Sequence, residues 1–393
     1  MSFLKISEKI VLNKLKIIKY GNLKLVNYDG KVFHFGNLEN ALSADIKINS
    51  PKFYFNIISG GSSALGEAHM NKDFYTSNLT NLIEISARNI ELVYSFSGSL
   101  KIKKIKNFFK SIFASNTKLK SLKYISKHYD LGNNFFSKWL DKTLTYSSAI
   151  YENGSNSLEV AQKNKYQKLI NLLDIKDGNK VLEIGCGWGG FSEHLAKNYN
   201  VSVDCITISK KQFEFTKKRI SNAGLNNKVN VLFLDYRDLK NKYDKIASIE
   251  MIEAVGENNL GKYFKTIKKS LKDDGSAAIQ GITIRDDLFD RYRRSEDFIQ
   301  KYIFPGGFLP SLNLMKTLIK KNNLNLLKVN SYPDDYAKTL ANWRINFFNA
   351  WENITPLGFD ETFKKMWEFY LSYCEAGFKS RNINLIQFSM SNK

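Results

Sequence analysis

The sequence predicts an α/β protein: a doubly wound sheet forms its larger part, and a smaller N-terminal α+β domain precedes it. From about residue 120 onward, short apolar runs typical of strands alternate with stretches of helical periodicity, the pattern of a doubly wound sheet. Residues 1–98 instead place strand-like runs first and helical stretches after them. A chain of 393 residues is also long for one hydrophobic core, so two domains are expected.

The N-terminal α+β domain is predicted over residues 1–98, with a role in lipid binding or dimerisation. Runs such as "KVFHF" predict strands, and the apolar stretch "NLTNLIEISARNIELVYSF" predicts helices. His34 and His69 stand alone here, and lone histidines are more often structural than ligands. None of the histidines of the chain shows a metal-ligand spacing with the cysteines, so we expect no metal site.

A change of composition marks a predicted linker over residues 99–120. Apolar residues in "SLKIKKIKNFFKSIF" recur at helical spacing, and the lysines between Lys101 and Lys110 mostly fill the other face. This pattern is typical of a basic amphipathic helix that lies on an anionic membrane. The alternative is a helix whose apolar face packs on a neighbouring domain while its lysines lie in water.

The net charge of +21 favours an anionic partner, either nucleic acid or a membrane surface, unless the lysines only form a solvated surface. The longest apolar runs are far shorter than the roughly 20 residues of a membrane-spanning helix, and no secretory signal is visible. The three cysteines lie far apart, which suits a reducing cytosol. The predicted location is therefore cytoplasmic, with peripheral association at the inner face of the membrane.

The stretch "VLEIGCGWGG" carries an apolar strand into a glycine turn. Gly185, Gly187 and Gly190 satisfy the pattern G-x-G-x-x-G of dinucleotide sites, but that pattern is weak when it stands alone. Glu183 precedes the turn at the strand end, and an acid in this place is typical of S-adenosylmethionine-dependent methyltransferases. The following strand ends in "CITIS", without an acid at its tip to bind a ribose. S-adenosylmethionine is the favoured cofactor.

Several longer segments from about residue 120 to 390 occur in one order: "KHYDLGNNFFSKWLDKTLTYSSAIY", "LEIGCGWGGF", "ITISKKQ", "DYRDL", "SIEMIEAVGE", "DFIQKYIFPGGFLPS", "YAKTLANWR" and "MWEFYLSYCEAGF". Together they resemble the cyclopropane-fatty-acyl-phospholipid synthase family. The resemblance implies a class I, Rossmann-like methyltransferase domain over residues 121–393. It also implies transfer of a methylene group from S-adenosylmethionine to the cis double bond of an unsaturated phospholipid acyl chain. A fatty acyl methyltransferase that leaves a methyl or methylene branch is the alternative.

The resemblance assigns a set of cofactor-binding residues, most of which could otherwise be strand-end caps or turn residues. They are Tyr146, Ser147, Glu183, Gly185, Gly187, Gly189, Thr207, Ser209, Gln212, Arg237 and Asp238.

The resemblance also implies a bound bicarbonate that takes a proton from the newly added methyl group so that the ring closes. Glu253 and Tyr336 match two of the residues that hold it, and Ile282 would supply a backbone group. Ser148 stands where many members have cysteine, and Gln280 where many have histidine. Both replacements can hydrogen-bond an anion, but Gln280 cannot take a proton, which leaves a branched product open. Glu253 has a second interpretation as a cap of the following helix.

Cys374 of "YCEAGF" matches a cysteine proposed as catalytic in the family. A cysteine in an apolar helical stretch is more often a small core residue, and this alternative stays open.

The predicted partners are unsaturated phospholipid acyl chains and an anionic membrane surface. Nucleic acid is not expected, because the sequence shows neither an RNA-binding module nor a base-flipping motif of the N/D-P-P-Y type; "IEMIEAVGE" occupies the relevant strand end. The oligomeric state is open, and a homodimer is one alternative.

Overall fold

The structure is a computed structural model, and it describes residues 3–97, 131–152, 154 and 157–392. These residues belong to two compact units. Of the described residues, those within 1–114, 290–305 and 354–382 form one unit, and those within 115–289, 306–353 and 383–393 form the other. The predicted linker helix with Lys101–Lys110 lies outside the described residues. The division into domains 1–98, 99–120 and 121–393 therefore stays a prediction.

A four-stranded sheet forms the centre of the first unit, in the order β2-β1-β3-β4. Its strands are β1 (Asn22–Val26), β2 (Val32–Gly36), β3 (Ser43–Ile48) and β4 (Phe74–Tyr75). β1 is antiparallel to β2 and parallel to β3. Leu23 and Leu25 are buried while Lys24 between them is exposed, the alternation of a strand with one face on the core.

The helices of the first unit come from both early and late segments of the chain. They are Phe3–Leu15, Lys52–Gly60, Ala64–Met70, Leu79–Arg88, Ile90–Ser97 and Glu361–Lys379, with 3-10 turns at Gly61–Ser63 and Thr355–Leu357 and a π-helical turn at Ile299–Ile303. The rings of Phe298 and Phe369 pack with centroids 4.5 Å apart, and His69 Nε2 lies 2.9 Å from Glu368 Oε2. Aromatic packing therefore joins the two late segments to each other, and a partly buried polar contact ties one of them to the early helices.

The second unit contains a seven-stranded sheet in the order β10-β11-β9-β8-β5-β6-β7. Its strands are β5 (Lys180–Ile184), β6 (Ser202–Thr207), β7 (Val229–Phe233), β8 (Tyr243–Ile249), β9 (Leu271–Ile284), β10 (Leu324–Ser331) and β11 (Ile383–Asn392). The five neighbouring strands β9, β8, β5, β6 and β7 are parallel to one another, whereas β11 is antiparallel to both β9 and β10. This arrangement confirms the predicted doubly wound α/β fold.

Helices cover this sheet, and β5 accordingly consists almost wholly of buried residues. The helices are Asn133–Phe136, Leu158–Leu173, Gly190–Asn198, Lys210–Asn222, Ile252–Val255, Leu260–Ser270, Asp286–Tyr292, Leu312–Lys321, Pro333–Asn349 and Trp351–Ile354, with 3-10 turns at Tyr236–Asp238 and Glu257–Asn259. Two of them, Asp286–Tyr292 and Trp351–Ile354, contain a sequence boundary between the two units. In the part of the chain that the structure describes, no helix has the length and hydropathy to cross a membrane.

The direction of winding reverses beside β5. The chain runs from β5 outward to β6 and β7, then returns to β8 on the other side of β5. Ligands of open α/β sheets bind at such a switch point, outside the carboxyl ends of the strands. The ends of β5 and β8 are adjacent here, since Ile184 pairs with Ser248.

Candidate active site

The glycine turn after β5 is built around three residues with positive φ: Gly185 (83°), Gly187 (51°) and Gly189 (81°). A Cβ at Gly185 would lie 2.9 Å from Met251 Cγ, and one at Gly189 would lie 2.6 Å from Thr216 Cγ2. Both positions therefore need glycine for packing as well as for backbone geometry. At Gly187, in contrast, no atom of the described residues lies within 4 Å of such a Cβ. The middle of the turn faces open space, as a cradle for a closely held ligand requires.

Glu183 lies near the end of β5 and is buried. Its Oε2 accepts a hydrogen bond from the Ser192 hydroxyl. Burial raises the pKa of Glu183 to about 8, although the Ser192 hydrogen bond and the charge of Lys165 act in the opposite direction. A cation bound nearby would stabilise the carboxylate form, because an opposite charge in a buried site favours ionisation.

Thr207 at the end of β6 forms one hydrogen-bonded group with Ser209 and Gln212, which begin the following helix. Thr207 Oγ1 donates to Gln212 Oε1 at 3.0 Å and accepts from the backbone N of Ser209 at 3.1 Å. Ser209 also caps the helix Lys210–Asn222, since its side chain accepts from the backbone N of Gln212. The cap role and a ligand role are compatible, and the bonds fix the group in one conformation.

Arg237 and Asp238 lie on the 3-10 turn after β7. The Arg237 guanidinium pairs with Asp235, with Nε 2.8 Å from Oδ1 and Nη2 2.6 Å from Oδ2. Because β5, β6 and β7 are parallel neighbours, the predicted cofactor residues at and just after the carboxyl ends of these strands lie along one edge of the sheet. Asp235, which orients Arg237, was not among the predicted site residues.

Tyr146 and Ser147 precede the sheet in sequence but belong to the same unit. The ring of Tyr146 packs on Phe136 and Trp343, with centroids 5.0 and 5.2 Å away. The hydroxyl of Ser147 accepts a hydrogen bond from the fully buried Lys165 at 2.7 Å. Burial lowers the pKa of Lys165 to about 7.

Lys165 was missed in the sequence, although its place in the helix gives a signal. Ala161, Lys165 and Leu169 recur at every fourth position and are all buried, so this lysine occupies a core-facing position. A buried lysine needs polar or charged neighbours, which here are Ser147 and, through its charge, Glu250.

Three residues predicted to hold an anion converge on the carboxylate of Glu250. The backbone N of Ser148 and Nε2 of Gln280 each donate to Oε1 at 2.8 Å. The hydroxyl of Tyr336 donates to Oε2 at 2.5 Å. Glu250 follows β8 directly and has a φ of +50°, which is uncommon for a residue with a side chain. The signal in the sequence was its place as the first acid after the strand in "SIEMIEAVGE".

Gln387 orients one of these donors. It lies on β11 opposite Gln280 of β9, and its Nε2 donates to Gln280 Oε1 at 2.9 Å. Both side chains are fully buried. Since the Gln280 oxygen is engaged by Gln387, its amide nitrogen is directed towards Glu250.

Glu253 lies on the short helix Ile252–Val255 and makes a different contact. Its Oε1 accepts from the backbone N of Ile282 at 2.6 Å, while its Oε2 is buried without a hydrogen-bond partner among the described residues. Burial and the nearby charge of Glu250 raise the pKa of Glu253 to about 8. Glu250 accepts three hydrogen bonds, so the ionised form of this carboxyl pair is Glu250 and Glu253 keeps its proton at neutral pH.

Cys374 lies on the helix Glu361–Lys379 of the first unit, whereas the other predicted site residues belong to the second. The side chain keeps some exposed surface. Burial by the surrounding protein and then the charge of Asp297 raise the pKa of its thiol well above the ordinary value. The thiol is therefore protonated at neutral pH, which is unfavourable for a nucleophile.

The fold and the turn after β5 define the class of this protein. A doubly wound sheet with an antiparallel strand inserted near one edge, and an acid–glycine turn after its first strand, is the arrangement of class I S-adenosylmethionine-dependent methyltransferases. Residues 116–388 match the family model described as mycolic acid cyclopropane synthetase. The chain belongs to this family, which confirms the resemblance seen in the sequence.

Individual relatives agree with that assignment. The chain is 33% identical over 359 residues to the cyclopropane-fatty-acyl-phospholipid synthase of Escherichia coli, covering 90% of this chain and 89% of that one. It is 32% identical over 338 residues to a tuberculostearic acid methyltransferase of Mycobacterium tuberculosis, covering 84% and 79%. A solved mycolic acid cyclopropane synthase, complexed with SAH and CTAB, matches with a TM-score of 0.65 and 28% identity, covering 69% of this chain and 98% of that one.

Proposed function

We propose that this chain transfers a methylene group from S-adenosylmethionine to the cis double bond of an unsaturated phospholipid acyl chain, closing a cyclopropane ring. The observation that carries the proposal is the adjacency of two features at one sheet edge. The open glycine turn follows β5, and the carboxylate pair Glu250 and Glu253 follows β8, its direct neighbour. The name of the Escherichia coli relative and the alkyl surfactant CTAB in the solved relative support an acyl substrate.

The described residues fit S-adenosylmethionine. Gly187 leaves the space for it, and Glu183 would hold its amino group as a carboxylate. Thr207 at the end of β6, Gln212 on the helix that follows and Arg237 on the turn after β7 would contact it. When bound, it supplies an electrophilic methyl group on a sulfonium.

The protein must then stabilise a carbocation and remove a proton. The π electrons of the double bond form the bond to the methyl carbon while the carbon–sulfur pair stays on sulfur, so a positive charge develops on the acyl chain. Aromatic faces stabilise cations, and the rings of Tyr146, Trp343 and Tyr336 pack on one another within this unit. A base then takes a proton from the added methyl, and that C–H pair closes the ring. The net gain is one CH₂.

The bicarbonate that the resemblance implies does not fit this site as it stands. Of the side chains expected to donate to it, those of Gln280 and Tyr336 donate to Glu250 instead, and the Ser148 hydroxyl donates to the Ala149 carbonyl. These donors are therefore engaged by acceptors of the chain itself.

A branching fatty acyl methyltransferase is the second candidate. The tuberculostearic acid methyltransferase relative favours it, as does Gln280, which cannot relay a proton. If the cation rearranged by hydride shift before proton loss, the product would be an exocyclic methylene of the same mass as the ring.

Mass spectrometry of unsaturated phospholipid vesicles incubated with the purified chain and S-adenosylmethionine tests both candidates. We expect acyl chains heavier by one CH₂ that resist mild hydrogenation, as a cyclopropane does. Uptake of two hydrogens would identify the methylene branch instead. Absence of any gain with all unsaturated phospholipids offered would contradict the proposed function.

We further propose that the chain works on the surface of an anionic membrane at its cytoplasmic face. The net charge of +21 supports this, as do three apolar side chains along one face of the helix Phe3–Leu15. Phe3, Ile6 and Ile10 are 66%, 43% and 39% exposed, and Lys5 and Lys9 on the same helix are exposed too. Exposed apolar residues flanked by lysines are typical of helices that lie in the membrane interface.

Cosedimentation with anionic vesicles tests this proposal. Replacing Phe3, Ile6 and Ile10 by serine should weaken binding, and changing the lysines from Lys101 to Lys110 to glutamine should remove about 1 kcal/mol for each lysine near the surface. Serine at Leu327 and Ile345, which are 59% and 53% exposed in the second unit, is the matched control. Equal binding of all variants at low salt would contradict the membrane proposal.

A further inference from the structure

The carboxylate of Glu250 occupies the centre of the site that the resemblance assigns to an anion. Its three donors come from three separate parts of the chain: Ser148 before the sheet, Gln280 on β9 and Tyr336 on the helix Pro333–Asn349. Ser148 contributes its backbone N–H, because its hydroxyl donates to the Ala149 carbonyl at 2.9 Å. A donor set of this kind recognises a carboxylate or a carbonate ion equally well.

The chain maintains this arrangement against a backbone preference. A residue with a side chain seldom adopts a φ of +50°, whereas glycine does so freely. Such a conformation persists where surrounding contacts determine it, and it is frequent at functional sites. At Glu250 the contacts that determine it are the three hydrogen bonds to the carboxylate and its own backbone N–H, which donates to the Gln280 carbonyl at 2.8 Å.

The carboxylate still has room for a proton. An ionised carboxylate can accept about four hydrogen bonds, and Glu250 accepts three from the described residues. Burial raises its pKa, while Lys165 and the three donors act against the increase. Glu253 beside it holds its own proton, so the pair carries a single negative charge, on Glu250.

We propose that the Glu250 carboxylate is the proton acceptor of ring closure and stands in the anion site itself, so that turnover needs no bicarbonate. The inference rests on the proposed ring-forming reaction. Glu250 accepts a proton from the carbon added by methyl transfer, and the electrons of that C–H bond form the last bond of the ring. Glu250 is left as a neutral acid and returns its proton to solvent once the product leaves.

The test compares turnover with and without added bicarbonate, in buffer freed of carbon dioxide, for the full chain and three variants. The full chain should be indifferent to bicarbonate. Glu250→Gln keeps the size of the side chain but loses its charge, so turnover should fall by about a hundredfold or more and bicarbonate should not restore it. Glu250→Gly suits the positive φ and vacates the anion site, so turnover should fall similarly and recover at least about tenfold with bicarbonate. Asp273→Asn, an acid-to-amide change at a fully exposed position near the start of β9, should behave like the unchanged chain.

A binding measurement keeps this test independent of turnover. The ¹³C resonance of labelled bicarbonate should broaden with Glu250→Gly and not with the unchanged chain, and circular dichroism should show that each variant folds. The inference would be overturned if the unchanged chain were active only with bicarbonate, or if the turnover of Glu250→Gln were near normal. If the unchanged chain modifies no unsaturated lipid, the proposed function is wrong and turnover no longer tests the role of Glu250. The ¹³C measurement then decides whether Glu250 fills the anion site, because broadening by the unchanged chain would show that bicarbonate binds there.

Discussion

The two halves of the candidate site differ in what they already contain. Along the ends of β5, β6 and β7, the turn at Gly187 faces open space and the polar groups are held in a fixed arrangement. At the ends of β8 and β9, a carboxylate fills the centre and its donors are engaged. The first half is built to receive a ligand, whereas the second supplies its own anion. Changes in the first half should therefore act on cofactor binding, and changes in the second on turnover.

The largest effect is expected from Gly187→Val. The variant would force a branched side chain into a positive φ of 51° and into the open space of the cradle. We expect the affinity for S-adenosylmethionine to fall by about a hundredfold or more, since both backbone strain and steric exclusion act against binding. Isothermal titration calorimetry measures this affinity.

Gly224→Val is the matched control for that experiment. Gly224 also has a positive φ, of 68°, with open space around it, but it lies in the turn between the helix Lys210–Asn222 and β7, at the opposite edge of the sheet. It should lose stability without losing affinity. Equal affinity of Gly187→Val and the unchanged chain would place the cofactor elsewhere.

The same division separates what the sequence could predict from what it could not. Glu183 and the glycines follow one another along the chain, so a local pattern identified them and the fold confirmed the class. Ser148, Gln280 and Tyr336 were named only through resemblance, and their meeting point at Glu250 depends on how distant segments pack. Gln387 gave no local signal, because its role arises from strand pairing with Gln280. Tertiary packing also places the segments 290–305 and 354–382 in the first unit, which no local pattern indicated.

Tyr336→Phe should affect the second half of the site alone. The variant removes the hydroxyl that donates to Glu250 Oε2. A hydrogen bond to a charged group contributes about 1.5–3 kcal/mol, so we expect turnover to fall about tenfold or more while S-adenosylmethionine affinity stays unchanged. Tyr332→Phe, at the beginning of the same helix, controls for loss of a phenol. A fall in cofactor affinity equal to the fall in turnover would show that the two halves are not separable.

A smaller effect is expected from the buried acid of the first half. With a pKa of about 8, Glu183 is mostly protonated at pH 7, and binding of the cationic cofactor should release close to one proton. Affinity should rise with pH because the carboxylate forms as pH passes through this pKa, by about fivefold between pH 7 and 8, and then level off. Calorimetry in buffers of different ionisation enthalpy measures the release. Glu183→Gln should abolish it, and a release that persists in this variant would assign the proton to another group.

The smallest effect is expected from Glu253→Gln, and it separates the two acids of the second half. Glu253 is the protonated member of the pair, with a pKa raised to about 8, and its Oε1 accepts from the Ile282 backbone. Glutamine keeps a carbonyl oxygen for that hydrogen bond and resembles a neutral acid in shape and charge, so turnover should stay within about threefold of the unchanged chain. Glu250→Gln, measured alongside, should lose about a hundredfold, because there the charge itself is removed. The unfolding midpoint of Glu253→Gln should not fall, since the amide cannot repel Glu250 when the pH rises. If Glu253→Gln instead lost as much turnover as Glu250→Gln, Glu253 would be the ionised acceptor, and the assignment of one negative charge to Glu250 would be wrong.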